Sequence, residues 1–157
     1  MSKYLYGENY HNVDAKGRLS IPAKFRDELG YDLILAYGPE EFLMLYSREE
    51  WDKLVESIAE KVDTSTAEGR KFMKRFTAKV AACDVDSQGR IIIPQQMRDY
   101  AHITREVVVS GNMLRAEIWD KARYVELFGG NEEGNMIDNE EMSESLADGI
   151  AKFNIQL

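Results

Sequence analysis

Cysteine occurs once in this chain and histidine twice, and each scarcity removes a class of protein. A lone Cys83 allows no intrachain disulfide and no thiolate metal cluster. His11 and His102 stand without a partner pattern, so neither is a convincing ligand and no metal site is expected. No apolar run approaches the length of a membrane span, and the N-terminus lacks the apolar core of a signal peptide. The expectation is a soluble, cytoplasmic protein with no membrane partner. No phosphate-binding P-loop, zincin or nucleophilic-serine elbow occurs, so neither a catalytic residue, a cofactor nor a small-molecule substrate is expected. Positive charge is also short, with 20 Lys and Arg against 28 Asp and Glu and a net charge of −8. That balance argues at first sight against a polyanion partner. Most of the excess acidity, however, falls after Phe128, where Lys152 is the one basic residue against seven acidic ones. The body is nearly neutral, which leaves room for a local basic patch.

What the chain does have is one statement made twice. Val13-Asp14-Ala15-Lys16-Gly17-Arg18-Leu19-Ser20-Ile21-Pro22-Ala23-Lys24-Phe25-Arg26-Asp27 returns as Val85-Asp86-Ser87-Gln88-Gly89-Arg90-Ile91-Ile92-Ile93-Pro94-Gln95-Gln96-Met97-Arg98-Asp99. The offset from Asp14 to Asp86 is 72 residues, and 8 of 15 paired positions are identical. Hydrophobic patterning alone does not place an Asp, a Gly, a Pro and two Arg in register. A duplicated unit predicts a pseudo-twofold domain with two copies of one site.

The elements follow from local chemistry. Tyr4 to Val13 and Lys79 to Val85 read as strands leading into the motif. Gly17 and Gly89 stand where a tight turn needs positive φ. Short strands resume at Arg18 to Ile21 and Arg90 to Ile93. Pro22 and Pro94 then suit the first helical position of short helices ending near Leu29 and Ala101, with Gly30 as a stop. The duplication extends further, at offsets of 74 and then 73 residues. Leu33-Ile34-Leu35 matches Val107-Val108-Val109, and Leu45-Tyr46-Ser47 matches Ile118-Trp119-Asp120. Ser47 and Glu50 have capping-box spacing, followed by a one-faced stripe of Trp51, Leu54, Val55, Ile58 and Val62. Tyr124 and Leu127 take the places of Trp51 and Leu54 in the second copy. Between the copies, Ser65-Thr66-Ala67-Glu68 offers another capping box. Residues Arg70 to Phe76 after it suggest a connecting helix with one buried face. The organisation is a first repeat over 1–62, a connecting helix over 63–78, a second repeat over 79–128, and an acidic linker with a helix or arm over 129–157. Gly129-Gly130-Asn131 and Gly134-Asn135 look like the linker. Asp138 to Phe153 suits a final helix with Met142, Leu146, Ile150 and Phe153 on one side, or an arm.

The repeated residues permit two readings. In the binding reading, Lys16-Gly17-Arg18 and Gln88-Gly89-Arg90 put long polar side chains around a turn. Arg grips guanine O6 and N7 with two parallel hydrogen bonds, Lys reaches the same acceptors or a phosphate, and Gln pairs with adenine N6 and N7. A two-stranded ribbon is narrow enough for the major groove. Copy one is more basic, through Lys16 and Lys24, where copy two has Gln88 and Gln96. In the structural reading, Asp14 pairs with Arg18 across the turn and Asp86 with Arg90, with no ligand involved. Gly17, Gly89, Pro22, Pro94, Ile21 and Ile93 are structural in either case. Arg26 and Arg98 lean toward structure, pairing with the adjacent Asp27 and Asp99 or touching phosphate. Arg70, Lys71, Lys74 and Arg75 form the densest basic cluster, read as a solvated helix face with phosphate contact as the lesser alternative. Cys83 reads as a buried small residue. An aspartate dyad of Asp14 and Asp86 is disfavoured, because an Arg four residues on lowers both carboxylate pKa values rather than splitting them.

The motif from Asp14 to Arg26, repeated from Asp86 to Arg98, closely resembles the bacterial MraZ family of the SpoVT-AbrB swapped-hairpin superfamily. The likeness covers about residues 1–128, including Gly7 and Glu117-Ile118-Trp119-Asp120. It implies an α+β fold in which a tandem duplication builds a pseudo-twofold swapped-hairpin β-barrel flanked by helices. It also implies a sequence-specific transcriptional regulator, usually a repressor, acting on the promoter of a division and cell-wall gene cluster. Double-stranded DNA with short G-rich direct repeats is the implied partner, and self-association into a ring-like homo-oligomer is the implied assembly, with a nucleoid location. Carried onto this chain, the DNA-reading residues are Lys16, Arg18, Gln88 and Arg90, the two copies contributing unequally. Two other classes stand beside this one: a ring-forming scaffold without DNA readout, and an AbrB-like antitoxin whose acidic tail neutralises a toxin.

Overall fold

The computed structural model describes residues 4–129 and 137–157. The described residues form eight strands and six helices, in chain order as follows. The first copy supplies β1 (Glu8–Asn12), β2 (Arg18–Ser20), α1 (Ala23–Leu29), β3 (Asp32–Tyr37), β4 (Leu43–Ser47) and α2 (Arg48–Lys61). After the connecting α3 (Ala67–Thr77), the second supplies β5 (Ala81–Asp84), β6 (Arg90–Ile92), α4 (Gln95–Tyr100), β7 (Glu106–Asn112), β8 (Arg115–Asp120) and α5 (Lys121–Phe128). The last helix is α6 (Asn139–Lys152). Residues to Asp120 form one compact unit and those from Lys121 a second.

The strands of one copy pair with those of the other. A six-stranded antiparallel sheet runs β1-β7-β8-β4-β3-β5, and β2 pairs with β6 in a separate two-stranded ribbon. Thus β1 of the first copy lies on β7 of the second, and β5 of the second lies on β3 of the first. The registers are equivalent: Asn9 faces Val109 as Ala81 faces Leu35, and His11 faces Val107 as Cys83 faces Leu33. The pseudo-twofold passes between β4 and β8, where Met44 faces its own counterpart Glu117, and between Leu19 and Ile91 of the ribbon. The fold is the α+β exchanged-hairpin arrangement. Its hydrogen-bonded ladders leave β1 and β5 as edges, so pairing does not close the barrel.

Exchange gives both copies one core. Leu19, Phe25, Leu33, Leu35, Leu43 and Leu45 pack in one cluster with Ile91, Ile93, Met97, Val107, Val109 and Ile118, each 0–1% exposed. Strand alternation sends the β3, β4, β7 and β8 members of this cluster to one face of the sheet. The other face carries a polar network at its centre. Glu117, 7% exposed, accepts hydrogen bonds from Arg115 Nε (2.9 Å) and Nη2 (2.6 Å), Asn112 Nδ2 (2.9 Å) and Trp119 Nε1 (3.0 Å). Arg115 also donates to the Tyr46 hydroxyl at 3.2 Å.

Several sequence expectations are corrected. Pro22 and Pro94 are N-caps rather than first helical residues, because their ψ of 137° and 148° is extended. Their carbonyls open the helices, accepting from Phe25 and Arg26, and from Met97 and Arg98. The cap of α3 is Thr66, whose hydroxyl accepts from Gly69 N, not Ser65 with Glu68. Ser65 is held elsewhere, since its N–H and hydroxyl both donate to Asp63. The apolar face of α3 is not buried: Phe72 is 47% exposed and Gly69 is its one buried residue. Phe76 instead stacks on Trp51 of α2 at 5.3 Å. Between helix and arm at the C-terminus, a helix forms, capped by Asp138, which accepts from Glu140 N and Glu141 N. Of the expected linker, Gly130, Asn131, Gly134 and Asn135 lie outside the described residues.

Candidate nucleic-acid interface

The two copies build the same turn. Asp14 Oδ1 accepts from the backbone N–H groups of Lys16 and Arg18, both at 2.9 Å, and Oδ2 accepts from Arg18 Nε at 2.6 Å. Asp86 Oδ1 accepts from Gln88 N and Arg90 N, again at 2.9 Å, and Oδ2 from Arg90 Nε at 3.0 Å. Gly17 and Gly89 close the turns at φ of 84° and 79°, donating to the Asp14 and Asp86 carbonyls. An aspartate is needed here because one carboxylate must accept three donors at once. The backbone N–H of Arg18 is the largest influence lowering the Asp14 pKa, helped by the Arg18 side chain and the Lys16 N–H. Asp86 is lowered in the same way, first by the Arg90 N–H. Both carboxylates shift in one direction, which is not the divided pair an acid–base dyad requires.

Each turn is completed by the other copy. Ile21 N donates to Gly89 O at 2.9 Å, and Ile93 N to Gly17 O at 2.8 Å, so the ribbon ladder runs into both turns. Arg26 donates through Nε to Ile21 O, and Arg98 to Ile93 O, both at 3.0 Å. A Cβ on Gly89 would stand 2.8 Å from Arg26 Cζ, and one on Gly17 would stand 3.1 Å from Arg98 Cζ. Arg26 and Arg98 are therefore anchored to a carbonyl of their own copy while their guanidinium groups stand against the turn glycine of the other. That corrects the expected pairing with Asp27 and Asp99; the Asp99 carboxylate accepts from Gln95 instead.

The ribbon sorts its side chains by face. Leu19 and Ile91 face each other and enter the core. Arg18 is opposite Ile92, and Ser20 is opposite Arg90, so these four share the outer face. Arg18 and Arg90 are diagonal neighbours across the pseudo-twofold, a relation of about 7–8 Å in an antiparallel pair. Each guanidinium is held to its Asp through Nε, a bond that leaves the planar terminal nitrogens as further donors. Their side chains are 34% and 25% exposed. Lys16 and Gln88 stand exposed at the turn tips. The structure thus brings all four sequence-nominated residues to the ribbon and its turns. The ion pair and the free donor edge coexist, so the structural and binding readings do not exclude each other.

Ser20 and Ile92 belong to this face and were not nominated from the sequence. Period-two alternation from Arg18 and Arg90 was the available signal. Elsewhere, Lys71, Lys74 and Arg75 of α3 are exposed, while Arg70 donates to the carbonyls of Thr64 and Ser65. His102 contacts Glu41 at 3.1 Å. Among the described residues no group of three or more His, Cys, Asp or Glu is placed to hold a metal. No described helix is long and apolar enough to cross a membrane.

The family model described as "MraZ protein, putative antitoxin-like" matches residues 4–74 and 76–145. A protein of Acetivibrio thermocellus named "Transcriptional regulator MraZ" is 41% identical over 150 residues, covering 96% of this chain and 99% of its own. One of the same name from Caldicellulosiruptor bescii is 44% identical over 121 residues, covering 77% and 84%. A third, from Thermoanaerobacter sp., is 39% identical over 144 residues, covering 92% and 97%.

Proposed function

The chain belongs to the MraZ family, and on that premise we propose that it is a sequence-specific DNA-binding transcriptional regulator, without catalytic activity, that reads the major groove with its exchanged ribbon. The observation carrying this reading is the outer face of β2 and β6, where two Asp-oriented guanidinium groups sit diagonally on a narrow antiparallel ribbon. Fixing Nε lowers the conformational cost of presenting the terminal nitrogens to guanine O6 and N7. Lys16 adds a cation at one tip, where the other tip has Gln88, so the two copies favour different bases. The regulator acts as a repressor of the division and cell-wall gene cluster, at short direct repeats, in association with the nucleoid. Subunits assembled in a ring set several ribbons along consecutive repeats, and weak single contacts become avid when they engage together.

Gel shift on repeat-bearing promoter duplex, with Arg18→Ala beside the native chain, tests this. The variant is expected to lose roughly tenfold to a hundredfold in affinity, the worth of one bidentate base contact. Unchanged affinity and unchanged sequence preference would remove Arg18 from the interface. The competing reading is a ring-forming scaffold without readout, and a salt titration separates the two. A scaffold shows no sequence-dependent retention at any salt.

A further inference from the structure

Of the two exposed residues on the ribbon's outer face, Ser20 and Ile92, one is apolar. Ile92 is 60% exposed, while its chain neighbours Ile91 and Ile93 are 1% and 0% exposed. Burial therefore explains two of the three consecutive isoleucines and not the third. The pseudo-equivalent position in the first copy is Ser20, so neither the fold nor the turn requires an apolar residue here. The register puts Ile92 directly opposite Arg18, and Ser20 directly opposite Arg90. Each guanidinium is thus paired across the ribbon with the other copy's side chain. The reading surface consists of two composite pairs, Arg18 with Ile92 and Arg90 with Ser20.

We infer that Ile92 is a specificity-determining residue, which contacts a thymine C5-methyl group beside the base gripped by Arg18. In the major groove, thymine alone among the four bases presents a methyl group, and an apolar side chain is its natural partner. A branched aliphatic chain on an otherwise polar face has no hydrogen bond to offer. Against cytosine or adenine it buries their amino groups without a partner, which adds discrimination on top of the attraction. Ser20, with a hydroxyl that donates or accepts, tolerates several bases beside Arg90. The operator half read by Arg18 and Ile92 is accordingly the more stringent, with thymine next to guanine.

This inference rests on the ribbon being the DNA-reading surface, and the test separates the two claims. Random-sequence duplexes are selected with the full native chain, with Ile92→Ala and with Ile92→Ser, and binding to the native consensus is then measured with thymine replaced by deoxyuridine. The native chain is expected to select thymine beside guanine and to lose about fourfold on removal of that methyl, the worth of one apolar carbon. Both variants are expected to keep guanine, lose the thymine preference and bind thymine and uracil duplexes equally. Circular dichroism and thermal unfolding check that the exposed substitutions leave the fold intact. Variants that still select thymine, or that still distinguish thymine from uracil, overturn the role of Ile92 while leaving the ribbon reading in place. A native chain that selects no sequence overturns both.

Discussion

At the level of single residues, the account turns on two aspartates and two glycines. Asp14 and Asp86 each accept two backbone donors and one guanidinium donor, and their pKa values lie below the ordinary aspartate range. The folded value is lower than the unfolded one, so their stabilisation is present above about pH 4 and is lost as pH falls through the folded value. A carboxyl 13C titration should give both residues midpoints below those of the exposed aspartates, and Asp14→Asn should abolish the acid-side loss contributed by its turn. A midpoint at or above the ordinary value would mean that the turn hydrogen bonds do not persist in solution. Gly17 and Gly89 are subject to a different limit, since their φ of 84° and 79° places any Cβ under strain. Gly89→Ala should destabilise by about 1–2 kcal/mol, the left-handed cost for an L-residue, and more if the Arg26 guanidinium cannot move aside. Thermal unfolding measures it.

Among the elements, the central strands carry a second test. The pseudo-symmetric partners Met44 and Glu117 face each other, yet one is apolar and the other is a buried carboxylate bonded to Arg115, Asn112 and Trp119. Glu117→Ala should cost about 3–5 kcal/mol, because it strands the partially buried Arg115. Replacing Arg115 and Glu117 together by methionine should cost less than the two single changes summed, which a double-mutant cycle of unfolding free energies measures. Much of this level was legible in the sequence. The glycine turns, the order of strand, turn, strand and helix, and the Ser47 cap follow from local chemistry that the chain cannot disguise. The partners of the strands were not legible from the residues. A repeat says that two units are alike, but β1 has equal local reason to pair with its own copy, and the resemblance rather than the periodicity pointed to exchange. Thr66 displaced Ser65 as a cap because Asp63 already engages Ser65, a competition that spacing does not reveal. Arg26 and Arg98 were read toward neighbouring aspartates, whereas their partners are carbonyls fixed by the ribbon. Ile92 hid within a run of three isoleucines whose neighbours are core.

For the molecule as a whole, the exchange makes the two copies one cooperative unit to Asp120, since neither can bury its apolar face alone. Cys83 reports on that cooperativity. Burial, with Asp84 and Asp32 nearby, pushes its thiol up to about 12, so the thiolate is scarce at neutral pH. A thiol reagent at pH 8 should label it slowly in the native protein and promptly in denaturant, with no intermediate phase if the unit unfolds as one. Both copies build the ribbon, so under the proposed function they present one surface to DNA. The ribbon claim is tested most directly by equilibrium binding of the native chain, Arg18→Lys, Arg90→Lys and the double variant to operator and scrambled duplexes over a salt series. Lysine keeps the charge and loses the planar two-donor grip. The account predicts that scrambled-duplex affinity and salt slope stay nearly constant, while each single variant loses roughly tenfold or more in operator preference and the double variant binds both duplexes alike. Operator preference retained in the double variant would contradict it.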